Sequence, residues 1–265
     1  GGFGIDCSFI SRNFKQADYV ERQSGLCELA LHNFPLLGLG HIRIHNRDGV
    51  SYLQEMLPVD CLFLDPARRD GHGGKTVAIS DCEPDVTVLE PLLVDKAKKV
   101  MVKLSPMLDL SLALNELKTV RAVHIVAVNN ECKELLLILQ KESVSSEVSI
   151  HCEHIAGNGE SRHYTFTLKQ EKTSPCLLAD EVGTYLYEPN AAILKAGAFR
   201  SLTQTYPVAK LHLNSHLYTS VSLVPDFPGR RFRVEAVSGF GKKELKAFLM
   251  DMDKANITIR NFPLS

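Results

Sequence analysis

Residues 17–65 read ADYVERQSGLCELALHNFPLLGLGHIRIHNRDGVSYLQEMLPVDCLFLD. Three short β-rich runs, 17–21, 41–45 and 59–64, alternate with two stretches, 25–34 and 49–56, whose apolar residues recur at helical spacing. Runs this short and this rich in Val, Ile and Leu suit parallel strands buried on both faces. Parallel neighbours need a crossover between them, and the intervening helical stretches supply it. The fold class is therefore α/β, an open, mostly parallel sheet covered by helices.

The same rhythm continues outward. Residues 99–104 and 122–128 read as further strands, and 86–98, 108–117 and 131–141 as helices. Residues 147–154 and 163–169 flank Gly157-Asn158-Gly159, a hairpin loop that gives the sheet an antiparallel edge. From Lys172 the texture changes to small α+β pieces. A helix starts near Pro189-Asn190, strand-like runs cover 211–222, 231–237 and 256–260, and a helix covers 242–252. The segment Pro225-Asp226-Phe227-Pro228-Gly229 reads as a loop between them.

Composition narrows the function classes. The 265 residues are 45% hydrophobic and 23% charged, with a net charge of -1, so a clamp that holds nucleic acid by bulk charge is excluded. No run of about 18 apolar residues offers a membrane span, and no leader pattern is visible. Seven scattered cysteines without a C-x-x-C pair fit neither a zinc ribbon nor a disulfide framework. They predict a reducing, cytoplasmic setting, with no metal and no membrane partner.

Four signals recur at the carboxyl ends of the strands. The chain opens on Gly1-Gly2-Phe3-Gly4-Ile5-Asp6, where glycines let backbone approach a ligand and the following helix start offers free amides. Glu21 ends the first strand, where a carboxylate can accept from both hydroxyls of an adenosine ribose or simply stand in solvent. Asp48 follows the second strand, placed for an adenine amino group, for the N-cap of the next helix, or for both. Asp65-Pro66-Ala67-Arg68-Arg69 closes the third, bringing a polar group over the ligand crevice. A dinucleotide dehydrogenase shares the first two signals but not the Asp-Pro-Ala-Arg run.

This spacing, with the runs GGFGIDCSFI, LFLDPARRDGHGGKTVAISDCEPDV, TYLYEPNAAILKAGAF and FRVEAVSGFGKKELK, resembles a bacterial family of class I S-adenosylmethionine-dependent methyltransferases. Its members carry a ferredoxin-like insert and a C-terminal THUMP-like domain, and the resemblance covers nearly the whole chain. It implies a Rossmann-like, doubly wound core over 1–170, a ferredoxin-like domain over 179–222 and a partial THUMP-like domain over 223–265. It implies S-adenosyl-L-methionine as cofactor, held by Gly2, Gly4, Glu21, Asp48 and Asp65. RNA is the substrate class it implies, because THUMP domains are associated with RNA. The family's central strand precedes the glycine run, and this sequence opens at that run, so a fragment of a longer chain is expected.

Within this reading Asp65 and Pro66 form the catalytic motif. Asp65 orients the acceptor or takes its proton, and the backbone of Pro66 and Ala67 shapes the acceptor slot. Arg68, Arg69 and Lys103 are assigned to the substrate, the arginines through bidentate contacts to phosphate or carboxylate. Surface ion pairing with Asp70 or Glu83 is the plainer role for them. Ser105 lines the same crevice. Cys82 is the nearest cysteine for a C5-type nucleophile but has no activating base. His72, among Gly71, Gly73 and Gly74, has no partner at ligand spacing. Arg230, Arg231, Arg233, Lys242, Lys243 and Lys246 form a basic cluster suited to phosphates or to a solvated face. The alternative to an enzyme is a nucleotide-fold protein that binds RNA or cofactor without catalysis.

Overall fold

The computed structural model describes residues 1–68, 78–141, 147–239 and 241–249. The chain divides into two units, residues 1–121 with 136–144, and residues 122–135 with 145–265.

The first unit begins with a glycine turn and α1 (Ile5–Ile10). It continues through β1 (Ala17–Glu21), α2 (Ser24–Leu36), β2 (Ile42–Asn46), α3 (Gly49–Glu55) and β3 (Val59–Leu64). A two-residue strand β4 (Ala67–Arg68) pairs antiparallel with β5 (Cys82–Glu83). Then come α4 (Val86–Lys96), β6 (Ala97–Leu104) and α5 (Leu110–Glu116). The pairings β1 with β2 and β3 with β6 are both parallel, as the alternation of elements required. Short polar residues set the helix starts. Asp48, Asp85 and Asp109 each accept the backbone N–H of Ser51, Thr87 or Leu112 at 2.9–3.0 Å, satisfying donors a helix start leaves orphaned.

Beneath the glycine turn lies a small core of Tyr19, Cys27, Ala30, Phe34, Leu39 and Ile42. Tyr19 and Phe34 meet edge to face at 5.4 Å. Gly4 stands directly over them. Its φ of 74° is left-handed, and a Cβ there would sit 2.7 Å from the Phe34 ring, so both backbone and packing demand glycine.

The second unit takes in β7 (Val120–Val128), all but its first two residues, and the first part of β8 (Glu131–Leu139). β9 (Ser149–Ile155) and β10 (Ser161–Thr167) follow. β9 lies parallel to β7, and β10 returns antiparallel to β9 around the Gly157-Asn158-Gly159 turn, which gives the antiparallel edge expected. The α/β class with a mostly parallel sheet is thus what the chain forms.

One element differs in kind. Residues 131–141 read as a helix from sequence, yet Glu131–Leu139 is a strand beside β7. Asn129 and Asn130 have φ of 51° and 63°, the geometry of a two-residue hairpin turn, which sends the chain straight back. Asparagine enters this region more easily than most residues. The dense Leu-Leu-Leu-Ile-Leu tail reflects burial of the strand, not a helical face.

After β10 come α6 (Leu168–Thr173), β11 (Tyr185–Pro189), α7 (Ala191–Ala196), α8 (Ser201–Thr205), β12 (Ala209–Lys210), β13 (Tyr218–Ser220) and β14 (Gly229–Arg233). The last four strands form one sheet in the order β12-β13-β11-β14, its neighbours all antiparallel. Observed strands are shorter than the runs 211–222 and 231–237 suggested. α9 covers Lys242–Leu249, and the expected strand at 256–260 lies outside the described residues.

Within this unit β7–β10 and the segment after them are laced together. The Asn130 side chain accepts from the Ala191 N–H at 2.9 Å, and Arg162 donates to the Phe227 carbonyl at 3.1 Å. Glu171 accepts from the N–H groups of Phe199, Arg200 and Ser201 at 2.8–3.0 Å. The Tyr164 and Tyr206 rings meet at a tilt, their centroids 6.2 Å apart.

Candidate functional site

β1–β2 form a two-stranded sheet of their own and β3–β6 belong to the six-stranded sheet, and the loops at the carboxyl ends of each parallel pair carry the candidate residues. The glycine turn is closed by a bond from the Gly4 N–H to the Gly1 carbonyl at 3.2 Å. Gly2 has φ of 57° and open space where a side chain would stand, so the turn presents bare backbone there. Tyr19 donates its hydroxyl to the Gly2 carbonyl from below. Burial first, and then Glu21 nearby, push that hydroxyl up to about 12, so it stays protonated as a donor.

Glu21 is brought against the turn. Its Oε2 accepts the Gly2 N–H at 2.8 Å and lies 3.1 Å from the Gly1 amino nitrogen, while Oε1 accepts the Gln23 N–H at 2.8 Å. Its burial would raise the carboxyl pKa, but the Gln23 and Gly2 N–H groups and the Gly1 ammonium together outweigh it and hold it below the ordinary range. Oε1 keeps one lone pair unused by these contacts, enough for one hydroxyl donor. Glu21 is therefore also the clasp of the glycine turn, a job the sequence reading did not give it.

Asp48 lies on the next strand's loop, two residues past Asn46, which pairs with Glu21 in the β1–β2 register. It is exposed, and its Oδ1 accepts both the N–H and the hydroxyl of Ser51 at 2.9 and 3.0 Å. Those bonds, the Ser51 N–H foremost, hold its pKa below the ordinary carboxylate range. It caps α3 and leaves Oδ2 to solvent or ligand.

Asp65 and Lys103 stand side by side at the ends of β3 and β6, one residue past the Leu64–Val102 pair. The Lys103 ammonium lies 2.9 Å from Asp65 Oδ2 and 2.7 Å from Asp6 Oδ2. Partial burial pulls the lysine pKa down, but the two carboxylates more than reverse this and raise it, keeping the group charged. Lys103 thus ties the helix after the glycine turn to the end of β3. Asp6 is the residue the sequence reading missed, although it closes the glycine run itself.

The remaining candidates are less engaged. Pro66 is buried. Ser105 accepts the Met107 N–H at 3.3 Å in the turn after β6. Of Arg68 only the backbone is described, and Arg69, Asp70 and His72 lie outside the described residues. Cys82 is buried at 2% exposure, which denies it the access a nucleophile needs. No group of three or more His, Cys, Asp or Glu among the described residues is arranged to hold a metal. No described helix is long and apolar enough to cross a membrane.

Residues 185–228 match the model of a ferredoxin-like domain, and residues 229–265 match a model described as THUMP domain-like. No curated protein matches the chain. Among solved structures, a "putative methyltransferase" from Porphyromonas gingivalis W83 is similar at 35% identity and a TM-score of 0.86. That likeness covers 100% of this chain and 66% of the Porphyromonas protein, so the chain spans just under two thirds of its length. An uncharacterized protein from Listeria monocytogenes serotype 4b is 12% identical with a TM-score of 0.40, covering 55% of this chain and 61% of that one. A type I restriction-modification system methyltransferase subunit from Streptococcus thermophilus is 16% identical with a TM-score of 0.33, covering 56% and 45%. Both of these are too distant to carry an argument. With 35% identity along its whole length and ferredoxin-like and THUMP-like domains at its C-terminal end, the chain belongs to the same family as the Porphyromonas protein.

Proposed function

We propose that the protein is an S-adenosylmethionine-dependent methyltransferase acting on RNA in the cytoplasm. The observation that supports this most is the placement of a bare glycine turn, Glu21, Asp48, Asp65 and Lys103 at the carboxyl ends of two parallel strand pairs, β1–β2 and β3–β6, tied through the Asp6–Lys103 contact. The chemistry of that set suits the cofactor. Gly2 leaves open space over the turn, and Glu21 Oε1 and Asp48 Oδ2 have acceptor capacity for ribose hydroxyls and an exocyclic amine. In this reading Gly2, Gly4, Glu21, Asp48 and Asp65 hold the cofactor, which when bound supplies an electrophilic methyl on sulfur.

The protein's share of such a reaction is alignment and exclusion of water, because displacement at the methyl carbon is in line. Asp65, held beside the Lys103 ammonium, accepts a hydrogen bond from the acceptor and orients its lone pair. The buried Pro66 fixes the backbone that follows, so the acceptor slot keeps its shape through the reaction. Arg68 and Arg69 follow in the chain and are assigned to a substrate phosphate.

For RNA, the support is the THUMP domain-like match and the exposed Arg231, Arg233, Lys242, Lys243 and Lys246 within it. Arg230 is not counted with them, since its guanidinium pairs with the buried Glu188. Calorimetry with S-adenosylmethionine, followed by transfer of labelled methyl to total RNA and to total protein, tests the proposal. Saturable cofactor binding with label in RNA is expected. Binding without transfer to either pool would identify a non-catalytic binding protein instead.

A further inference from the structure

Three charged groups at the candidate site are in direct contact and do not cancel. Lys103 supplies one positive charge, and Asp6 and Asp65 supply two negative ones, at 2.7 and 2.9 Å. The two carboxylates are close to half exposed, at 45% and 49%, while the lysine is mostly covered at 20%. The lysine is thus held underneath and the carboxylates face outward. Asp6 is the second residue after Gly4, so the outward charge borders the glycine turn itself. Among the described residues no other cation is drawn into this contact set.

We propose that Asp6, Lys103 and Asp65 form a charge seat of net -1 that selects a sulfonium ligand over the corresponding neutral thioether. The inference rests on the cofactor reading above and adds to it a residue, Asp6, and a function, discrimination between methyl donor and spent product. S-adenosylmethionine and S-adenosylhomocysteine share their adenosine and their amino-acid ends. They differ by one methyl and one positive charge on sulfur. A net negative seat attracts the first and gains nothing from the second, so it helps release product after the methyl has left. Lys103 tempers the seat. Without it the two aspartates would face the same site with no counter-charge.

The test is a charge series read as the ratio of the two dissociation constants, homocysteine form over methionine form, at pH 8 and low salt. Asp6→Asn brings the seat to zero, the native chain stands at -1, and Lys103→Met takes it to -2. The ratio is expected to rise along that series, by about fivefold per unit charge, the Coulomb value for contact at about 4 Å in water. Asp65→Asn reaches zero from the other side and must lower the ratio as Asp6→Asn does, which guards against either variant failing to fold. Raising the salt should flatten the series. A ratio that stays constant while both affinities fall together would mean that the triad only shapes the site, and would overturn the proposal. A ratio that falls in Lys103→Met would overturn it too, showing that the lysine itself meets the ligand. If the native chain binds neither compound, the cofactor reading itself fails, which the unvaried protein reveals by itself.

Discussion

Replacing Glu21 with alanine should destabilise the protein even when no ligand is present. The side chain accepts two backbone N–H groups, from Gly2 and Gln23, each at 2.8 Å. Hydrogen bonds to a charged partner contribute roughly 1.5–3 kcal/mol each. Gly2 and Gln23 are exposed, so water recovers part of what their N–H groups lose. The net expectation is a loss of roughly 2–3 kcal/mol in unfolding free energy, with Glu21→Gln losing about half as much because one acceptor oxygen survives. The carboxyl pKa is lowered in the folded state, so its stabilisation is full above the unfolded value, near 4.3, and fades as pH falls through the folded one. Urea unfolding followed by circular dichroism, in the absence of ligand and between pH 3 and 7, measures all of this. The difference between native and Glu21→Gln protein should shrink below about pH 4. An Ala variant within about 0.5 kcal/mol of native at pH 7 would refute the idea that Glu21 clasps the turn.

Other outcomes follow from the same site. Measured with S-adenosylmethionine, Glu21→Ala should also weaken binding by roughly 1.5–3 kcal/mol, and an unchanged affinity would remove the ribose from its duties. Gly2→Ala should lose only the left-handed backbone term, about 1–2 kcal/mol, whereas Gly4→Ala adds a collision with Phe34 and should lose roughly 2–5 kcal/mol in the same urea assay. Equal losses would show that the Phe34 ring yields freely. Asp65→Ala should lower kcat far more than cofactor affinity, as steady-state kinetics beside calorimetry would reveal. Loss of binding with kcat kept at saturation would leave Asp65 with the cofactor alone and strip it of its role toward the acceptor. Asp48→Ala removes a cap and should lower stability by about 1 kcal/mol, and thermal unfolding unchanged within error would deny the cap its role.

The sequence carried the backbone of the fold better than the wiring of the site. Strand 59–64 is legible to the residue because a run apolar apart from Asp60 and ended by Asp-Pro has few other readings. The run at 131–141 misled because Glu, Lys and Leu at that spacing satisfy a helix, and only the two asparagines before it decide otherwise. Candidate positions along strand ends followed from the alternation of elements. The partners did not. Lys103 and Asp6 are 97 residues apart in the chain, and no periodicity links groups at that distance. Glu21 was visible as a strand-end carboxylate, but its bond to Gly2 depends on how the turn folds back over β1, which local pattern does not encode.

The lacing of the second unit bears on how this domain arrangement can be handled or inherited. Excising the ferredoxin-like segment at residue 185 would strand the Asn130 carbonyl, the Arg162 guanidinium and the Glu171 carboxylate, each of which finds its partner after that point. Tyr164, now 5% exposed, would lose Tyr206 and Thr205 from its surroundings. The segment is therefore a poor candidate for transplantation onto another scaffold, and a truncated gene ending before it would yield a sticky product. Residues 122–135 and 147–233 therefore hold together as one packed block across the start of the ferredoxin-like segment.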